Sequence, residues 1–262
     1  MGSAQQTVTA PAGSIVSGQI ANATLALPSG LTTAANTGIG TTSPDGSLHV
    51  KGISDHGRIV LESGGTTGAN NNMFMQFHNN GGTEIAQIAI EEGATNEGQL
   101  IFKTGGTTTA MTIDKDGHIT KPLQSAFSVR SDTNNVNFAL NTTHTVTFAT
   151  EIFDQNADFA SNTFTAPVTG RYQLNATFYF EDVASSADYL QANLDTSNRT
   201  YYAITDPTGY DGTVTYHTYT ISVLADMDAN DTAIMSYRQP SGGDQQIDLN
   251  GNHTYFTGFL VC

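Results

Sequence analysis

The chain has 262 residues, with 24 Asp or Glu against 9 Lys or Arg, for a formal charge of −15. A chain this acidic, with no basic cluster, is not built for nucleic acid or for an anionic membrane surface. Hydrophobic residues are 38%, and the 26 Gly with recurrent Thr and Asn point to strands and turns rather than helices. The 13 Phe and 10 Tyr supply large pieces for a small aromatic core. The one cysteine, Cys262, is the last residue, so no internal disulfide is expected. No run of 18 apolar residues occurs, so no membrane insertion is expected. The first twenty residues lack a positive start and an apolar core, so export by a signal peptide is not expected either.

Residues 1–36 carry no charged side chain. Ile15-Val16 and Leu25-Ala26-Leu27 are extended pieces cut by Gly18, Pro28 and Gly30, too short to build a core alone. The segment reads either as an unstructured tail or as an attachment segment that orders only against a partner.

Residues 37–121 alternate short strands with turns. Strands are predicted at Leu48–Val50, Arg58–Leu61, Met73–Phe77, Glu84–Ile90, Gln99–Phe102 and Met111–Ile113, separated by Gly and Asn clusters such as Asn79-Asn80-Gly81-Gly82. Strands with one or two large apolar residues each do not close a monomeric core, whereas several copies can share one.

Residues 122–262 read as one compact domain. Its predicted strands are Ala126–Arg130, Thr145–Phe148, Asn162–Ala166, Arg171–Glu181, Tyr189–Asp195, Val214–Leu224, Thr232–Arg238 and Thr254–Val261. Eight short strands at regular spacing argue for a sandwich or jelly roll. Gly170 after Pro167 suits a tight corner, and Gly258 within a strand suggests close approach of another backbone, as at a subunit axis.

Four ordered motifs in this zone are similar to the C1q-like globular head, a jelly roll shared with the tumour necrosis factor superfamily. They are Ala126-Phe127-Ser128-Val129-Arg130, Phe148-x-x-Glu151-Ile152-Phe153-Asp154, Phe164-Thr165-Ala166-Pro167-x-x-Gly170-x-Tyr172, and Tyr255-Phe256-Thr257-Gly258-Phe259-Leu260. The resemblance implies a homotrimer, with Phe127, Phe164, Gly170, Tyr172, Phe256, Gly258 and Phe259 in structural or trimer-forming roles. The middle zone resembles phage tail fibres through Gly38-Ile39-Gly40-Thr41-Thr42-Ser43-Pro44 followed by Leu48-His49-Val50. That likeness implies a trimeric β-rich shaft over 37–121 carrying the head at 122–262, an all-β chain throughout.

No nucleophile elbow, phosphate loop, zinc motif or Cys pair is present, and the seven His are scattered. No catalytic residue, no metal ligand and no cofactor is expected, and the chain reads as no enzyme. Asp226-x-Asp228-x-Asn230 imitates half a calcium loop and then departs from it, and Asp114-x-Asp116-Gly117 is too short. Calcium on the trimer is nonetheless admitted by the resemblance. Asp182, Asp188, Asp206 and Asp211 fall in adjacent predicted loops; they read as solubilising turns, a glycosidase pair being the alternative.

The leading expectation is a virion fibre, with 1–36 anchored to other virion structural proteins and the jelly-roll tip on a host-cell surface glycan or protein. The alternative is a secreted or surface-displayed bacterial C1q-like binding module or lectin. Counting strands from the stem puts three loops at the far end: Glu181 to Tyr189, Ile204 to Thr213, and Arg238 to Thr254. Their candidate receptor contacts are Asp182, Asp188, Tyr210, Asp211, Arg238, Gln239, Asp244 and Gln245.

Overall fold

A computed structural model describes residues 36–39, 41, 43–52, 59–61, 72–94, 97–132, 135–136, 138–242, 246–247 and 253–262. The predicted attachment segment up to residue 35, and Asp244 and Gln245, lie outside the described residues. The chain divides into two units, Met1–Glu62 and Ser63–Cys262. Apart from one 3-10 turn, every element among the described residues is a β-strand.

In the first unit, β1 (Thr37–Ile39) pairs in parallel with β2 (Leu48–Val50), in register from Thr37 opposite Leu48 to Ile39 opposite Val50. Of the strand predicted at Arg58–Leu61, Ile59, Val60 and Leu61 are exposed and belong to no strand, and Arg58 lies outside the described residues.

The second unit opens with a five-stranded antiparallel meander of β3 (Met73–His78), β4 (Glu84–Ala94), β5 (Glu97–Thr104), β6 (Thr108–Ile113) and β7 (Ile119–Thr120). The Asn-Gly turn closes on the Asn79 side chain, whose Oδ1 accepts N–H bonds from Gly81 at 2.8 Å and Thr83 at 3.0 Å. Directly opposed residues of an antiparallel sheet share a face. By that rule, Met73, Ile90, Leu100, Ile113 and Ile119 form one row and Met75, Ile88, Phe102 and Met111 the next. The sheet is a single layer, and Met75 is 51% exposed and Ile119 59%.

The head follows, fixed to the connecting segment by Gln155 Nε2, which donates to the carbonyls of Lys121 and Gln124, and by Asn156 Nδ2, which donates to that of Leu123. Its strands are β8 (Ala126–Arg130), β9 (Asn135–Val136), β10 (His144–Thr145), β11 (Thr150–Asp154), β12 (Phe159–Ala160), β13 (Thr163–Thr165), β14 (Gly170–Val183), β15 (Leu190–Thr196), β16 (Thr200–Thr205), β17 (Val214–Met227), β18 (Thr232–Arg238), β19 (Gln246–Ile247) and β20 (Tyr255–Leu260). One sheet runs β11-β8-β20-β14-β17, with β19 and β9 extending the far half of β14; the other runs β12-β13-β18-β15-β16, with β10 on β18. From β13 onward the chain crosses repeatedly between the sheets, which is a jelly roll. The predicted strands at Ala126–Arg130 and Thr232–Arg238 coincide with β8 and β18. Of the predicted Thr145–Phe148 only Thr145 falls in a strand, as the end of β10, and β16 was not foreseen.

Alternate residues of β14, namely Tyr172, Leu174, Ala176, Phe178 and Phe180, are fully buried. Phe127 stacks on Phe164 at 4.7 Å and on Phe159 at 5.3 Å, and meets Phe256 edge-on at 4.9 Å. Gly258 faces this cluster. A Cβ there would sit 2.6 Å from Phe127 and 2.7 Å from Leu174, so the close neighbour is the domain's own core and not a subunit axis. Gly258→Ala should therefore cost about 1–3 kcal/mol by overpacking, and Phe164→Ala about 3–5 kcal/mol by leaving a cavity. Denaturant midpoints at matched protein concentration check both.

Candidate binding surface

The register fixes which loops share an end. Val183 pairs with Val214, Leu190 with Thr205, and Gln191 with Arg238, so the loops after β14, β16 and β18 emerge together. The opposite end holds the entry at Ala126, which is opposite Phe259, and the C-terminus, where Arg171 N–H donates to the Cys262 carbonyl at 2.7 Å. The Phe164…Tyr172 string builds that near end. Tyr172 O–H bonds the Val168 carbonyl at 2.8 Å, and a Cβ on Gly170 would meet the Cys262 carbonyl oxygen at 2.7 Å.

At the far end the predicted contacts separate. Asp182 is not in a loop: it lies inside β14 at φ 52°, between Glu181 opposite Tyr216 and Val183 opposite Val214, and is half-buried. Asp188 is exposed, with its N–H donated to Ser241 Oγ at 2.9 Å, which ties two loops together. Tyr210 and Asp211 are exposed after the 3-10 turn Pro207–Gly209. Asp206 caps that turn, taking N–H and O–H from Thr208, and these bonds hold its carboxyl below the usual range.

Gln239 is a correction. It is buried, its Nε2 donates to the Ser241 carbonyl at 2.7 Å, and its own carbonyl accepts the Asn141 N–H at 2.8 Å. It supports the loop and does not face solvent. Arg238, half-buried, donates from Nη2 to Asn141 Oδ1. Of the structural set, Phe127, Phe164, Tyr172, Phe256 and Gly258 are buried, whereas Phe259 is exposed on the outer face of the first sheet, in line with Gln173 and the exposed Leu224.

Sequence reasoning missed β16 and its outward side chains. Tyr202 is 67% exposed and Ile204 60%. The signal was present as Thr200-Tyr-Tyr-Ala-Ile-Thr205, a β-prone run hidden between turn formers. A cleft of about 330 Å3 on the flank, lined in part by Phe148, Glu151, Phe159 and Asn162, holds none of the predicted contacts.

Asp114, Asp116 and His118 bring ligand-type atoms within 4.8 Å of one another. Asp114 already accepts the N–H groups of Asp116 and His118 at 2.9 Å and meets His118 Nδ1 at 2.9 Å, so these groups close the β6–β7 turn. At the near end, Asp226 pairs with Arg199 at 3.0 Å and Asp231 accepts from Asn198 Nδ2 at 2.9 Å.

On β17, Tyr219 O–H donates to the Leu190 carbonyl at 3.1 Å, and burial pushes its pKa up to about 12. His217 meets Tyr219 edge-on at 4.5 Å, and desolvation holds its pKa below the ordinary 6.5. The folded chain therefore prefers neutral His217, while the unfolded chain takes up a proton below pH 6.5. The resulting stability is present above that value and is lost as pH falls through the folded pKa. His217→Gln should flatten this fall, as followed by denaturant midpoints between about pH 7.5 and 5.

No family model and no curated protein matches the chain. Among solved structures, the globular domain of zebrafish complement 1qA is similar at 17% identity and a TM-score of 0.40, covering 53% of this chain and 98% of its own. Murine APRIL, crystallised at pH 8.5, is similar at 10% identity and a TM-score of 0.40, covering 53% of this chain and 99% of its own. The assignment of the all-β jelly roll rests on the strand order itself.

Proposed function

We propose that the chain is a homotrimeric virion fibre whose jelly-roll tip binds a host-surface receptor, a glycan, and performs no catalysis. The observation that supports it is the apolar face of β3–β7: Met75, Ile88, Phe102 and Met111 beside Met73, Ile90, Leu100, Ile113 and Ile119, a row set without a charge and, among the described residues, without a second layer. Apolar ladders left half-exposed in this way mark an interface, and a closed three-fold arrangement uses the same face on every copy. Exposed Leu224 and Phe259 on the outer face of the first sheet extend the contact to the head. Attachment at one end and recognition at the other agree with the head's polarity, since the chain enters at Ala126 and three loops close the opposite end. A trimer presents three copies of each loop, so weak single-site affinity becomes avidity.

Because stem burial is shared between copies, unfolding and dissociation should be one transition whose midpoint rises with protein concentration. A midpoint constant across a hundredfold dilution series, followed by circular dichroism, contradicts the shared core. Deleting residues 1–36 should leave this folded assembly intact yet abolish its incorporation into particles; normal incorporation, judged by immunogold microscopy, contradicts the anchoring role.

A further inference from the structure

The outer face of the second head sheet carries a feature that loop counting did not reach. Opposed residues place Arg238, Gln191 and Ile204 in one row and Ser236, Asn193 and Tyr202 in the next, all on the same face. A one-way chain of hydrogen bonds crosses it. Gln191 Nε2 donates to Asn193 Oδ1 at 2.5 Å, Asn193 Nδ2 to Ser236 Oγ at 3.0 Å, and Ser236 Oγ to Asp195 Oδ2 at 2.5 Å. Asn193 and Ser236 are 5% and 1% exposed, although they lie on the side of the sheet turned away from the core. Such a relay locks each side chain in one orientation and leaves the Gln191 amide as its outer end.

Arg238 stands at the top of this face. Among the described residues, the other half-buried cations have carboxylate partners, Lys103 with Glu91 at 2.7 Å and Arg130 with Asp132 at 3.5 Å. Among the described residues, Arg238 has none within ion-pair distance. Its Nη2 is held by Asn141, and its buried Nε–H has no acceptor. Asn141 is itself fixed, at φ 58°, by its N–H on the Gln239 carbonyl. The buried Nε–H is out of a ligand's reach, so a guanidinium anchored at Nη2 and without a carboxylate partner among the described residues offers an acid its remaining terminal N–H groups. Tyr202 and Ile204 supply the second element, an exposed ring and an aliphatic chain on a flat face. Tyr202 lies two strands and two residues from Arg238, roughly 12 Å by sheet spacing, the length of a disaccharide and not of a single ring.

We propose that this face, centred on Arg238, Gln191 and Tyr202, binds a carboxylate-bearing saccharide, its acid on Arg238, hydroxyls on the Gln191 amide and a second ring on Tyr202. It rests on the reading of the head as a glycan-binding tip, and it moves the contact from the loop crowns to the sheet. The exposed edge of β16 offers a competing occupant, an extended acidic peptide, which the test separates.

The test titrates the purified full chain with a glucuronate-containing tetrasaccharide, with its neutral glucose counterpart, and with a glutamate-rich peptide of the same charge. The acidic saccharide should bind at least about tenfold tighter than the neutral one. Arg238→Gln should erase that preference, and Tyr202→Ala, at a position too exposed to threaten the fold, should weaken both sugars about equally. Equal affinity for the two saccharides, affinity indifferent to both substitutions, or equal binding of the acidic peptide overturns the proposal. Particle adsorption is scored separately. Particles that adsorb through the head while the purified chain ignores the acid place the failure in this site; a chain that binds the acid but is absent from particles places it in the fibre reading.

Discussion

A single-layer β-sheet can bury one face only against something else. In β3–β7 the face that needs covering is built from Met, Ile, Leu and Phe in opposed pairs, and its own chain supplies no second layer among the described residues. This unmet burial sets the terms for the rest of the molecule. Among the described residues of this stretch the buried apolar side chains are Ala89 and Ile101, which pair on the opposite face of the sheet.

The head solves the same problem internally. Two sheets close over Phe127, Phe159, Phe164, Phe256 and the alternating face of β14, with Gly258 removing the side chain that would otherwise collide with Phe127. Polarity follows from this closure. Asp226, Asp231, Thr169, Asn198 and Arg199 knit the near end together, and at the far end Asp188 bonds Ser241 and Arg238 bonds Asn141.

Much of this was legible in the residues. Alternation over Arg171–Phe180 and the Phe164…Tyr172 string announced β14 and its corner, because a two-residue period with aromatics on one face has few other solutions. The alternating apolar residues of 84–113 likewise announced strands without a core. What stayed hidden depended on pairing. Sequence spacing cannot say that Gln239 turns inward onto the Ser241 carbonyl, that Asp182 lies within β14 and not in a loop, or that Gly258 answers to Phe127 and not to a symmetry axis. Arg238, Gln191 and Tyr202 are 47 and 11 residues apart in sequence and become neighbours only through the β18–β15–β16 register.

The central claim is that three chains share the face of β3–β7. Sedimentation equilibrium of the full chain at micromolar concentration tests it most directly: three chains of 27.7 kDa give about 83 kDa, and replacing Ile88 by Lys in the middle of the apolar row should lower that mass toward one chain while the head keeps its fold. A mass of 27.7 kDa for the unmodified protein, or a trimer indifferent to Ile88→Lys, would contradict the account.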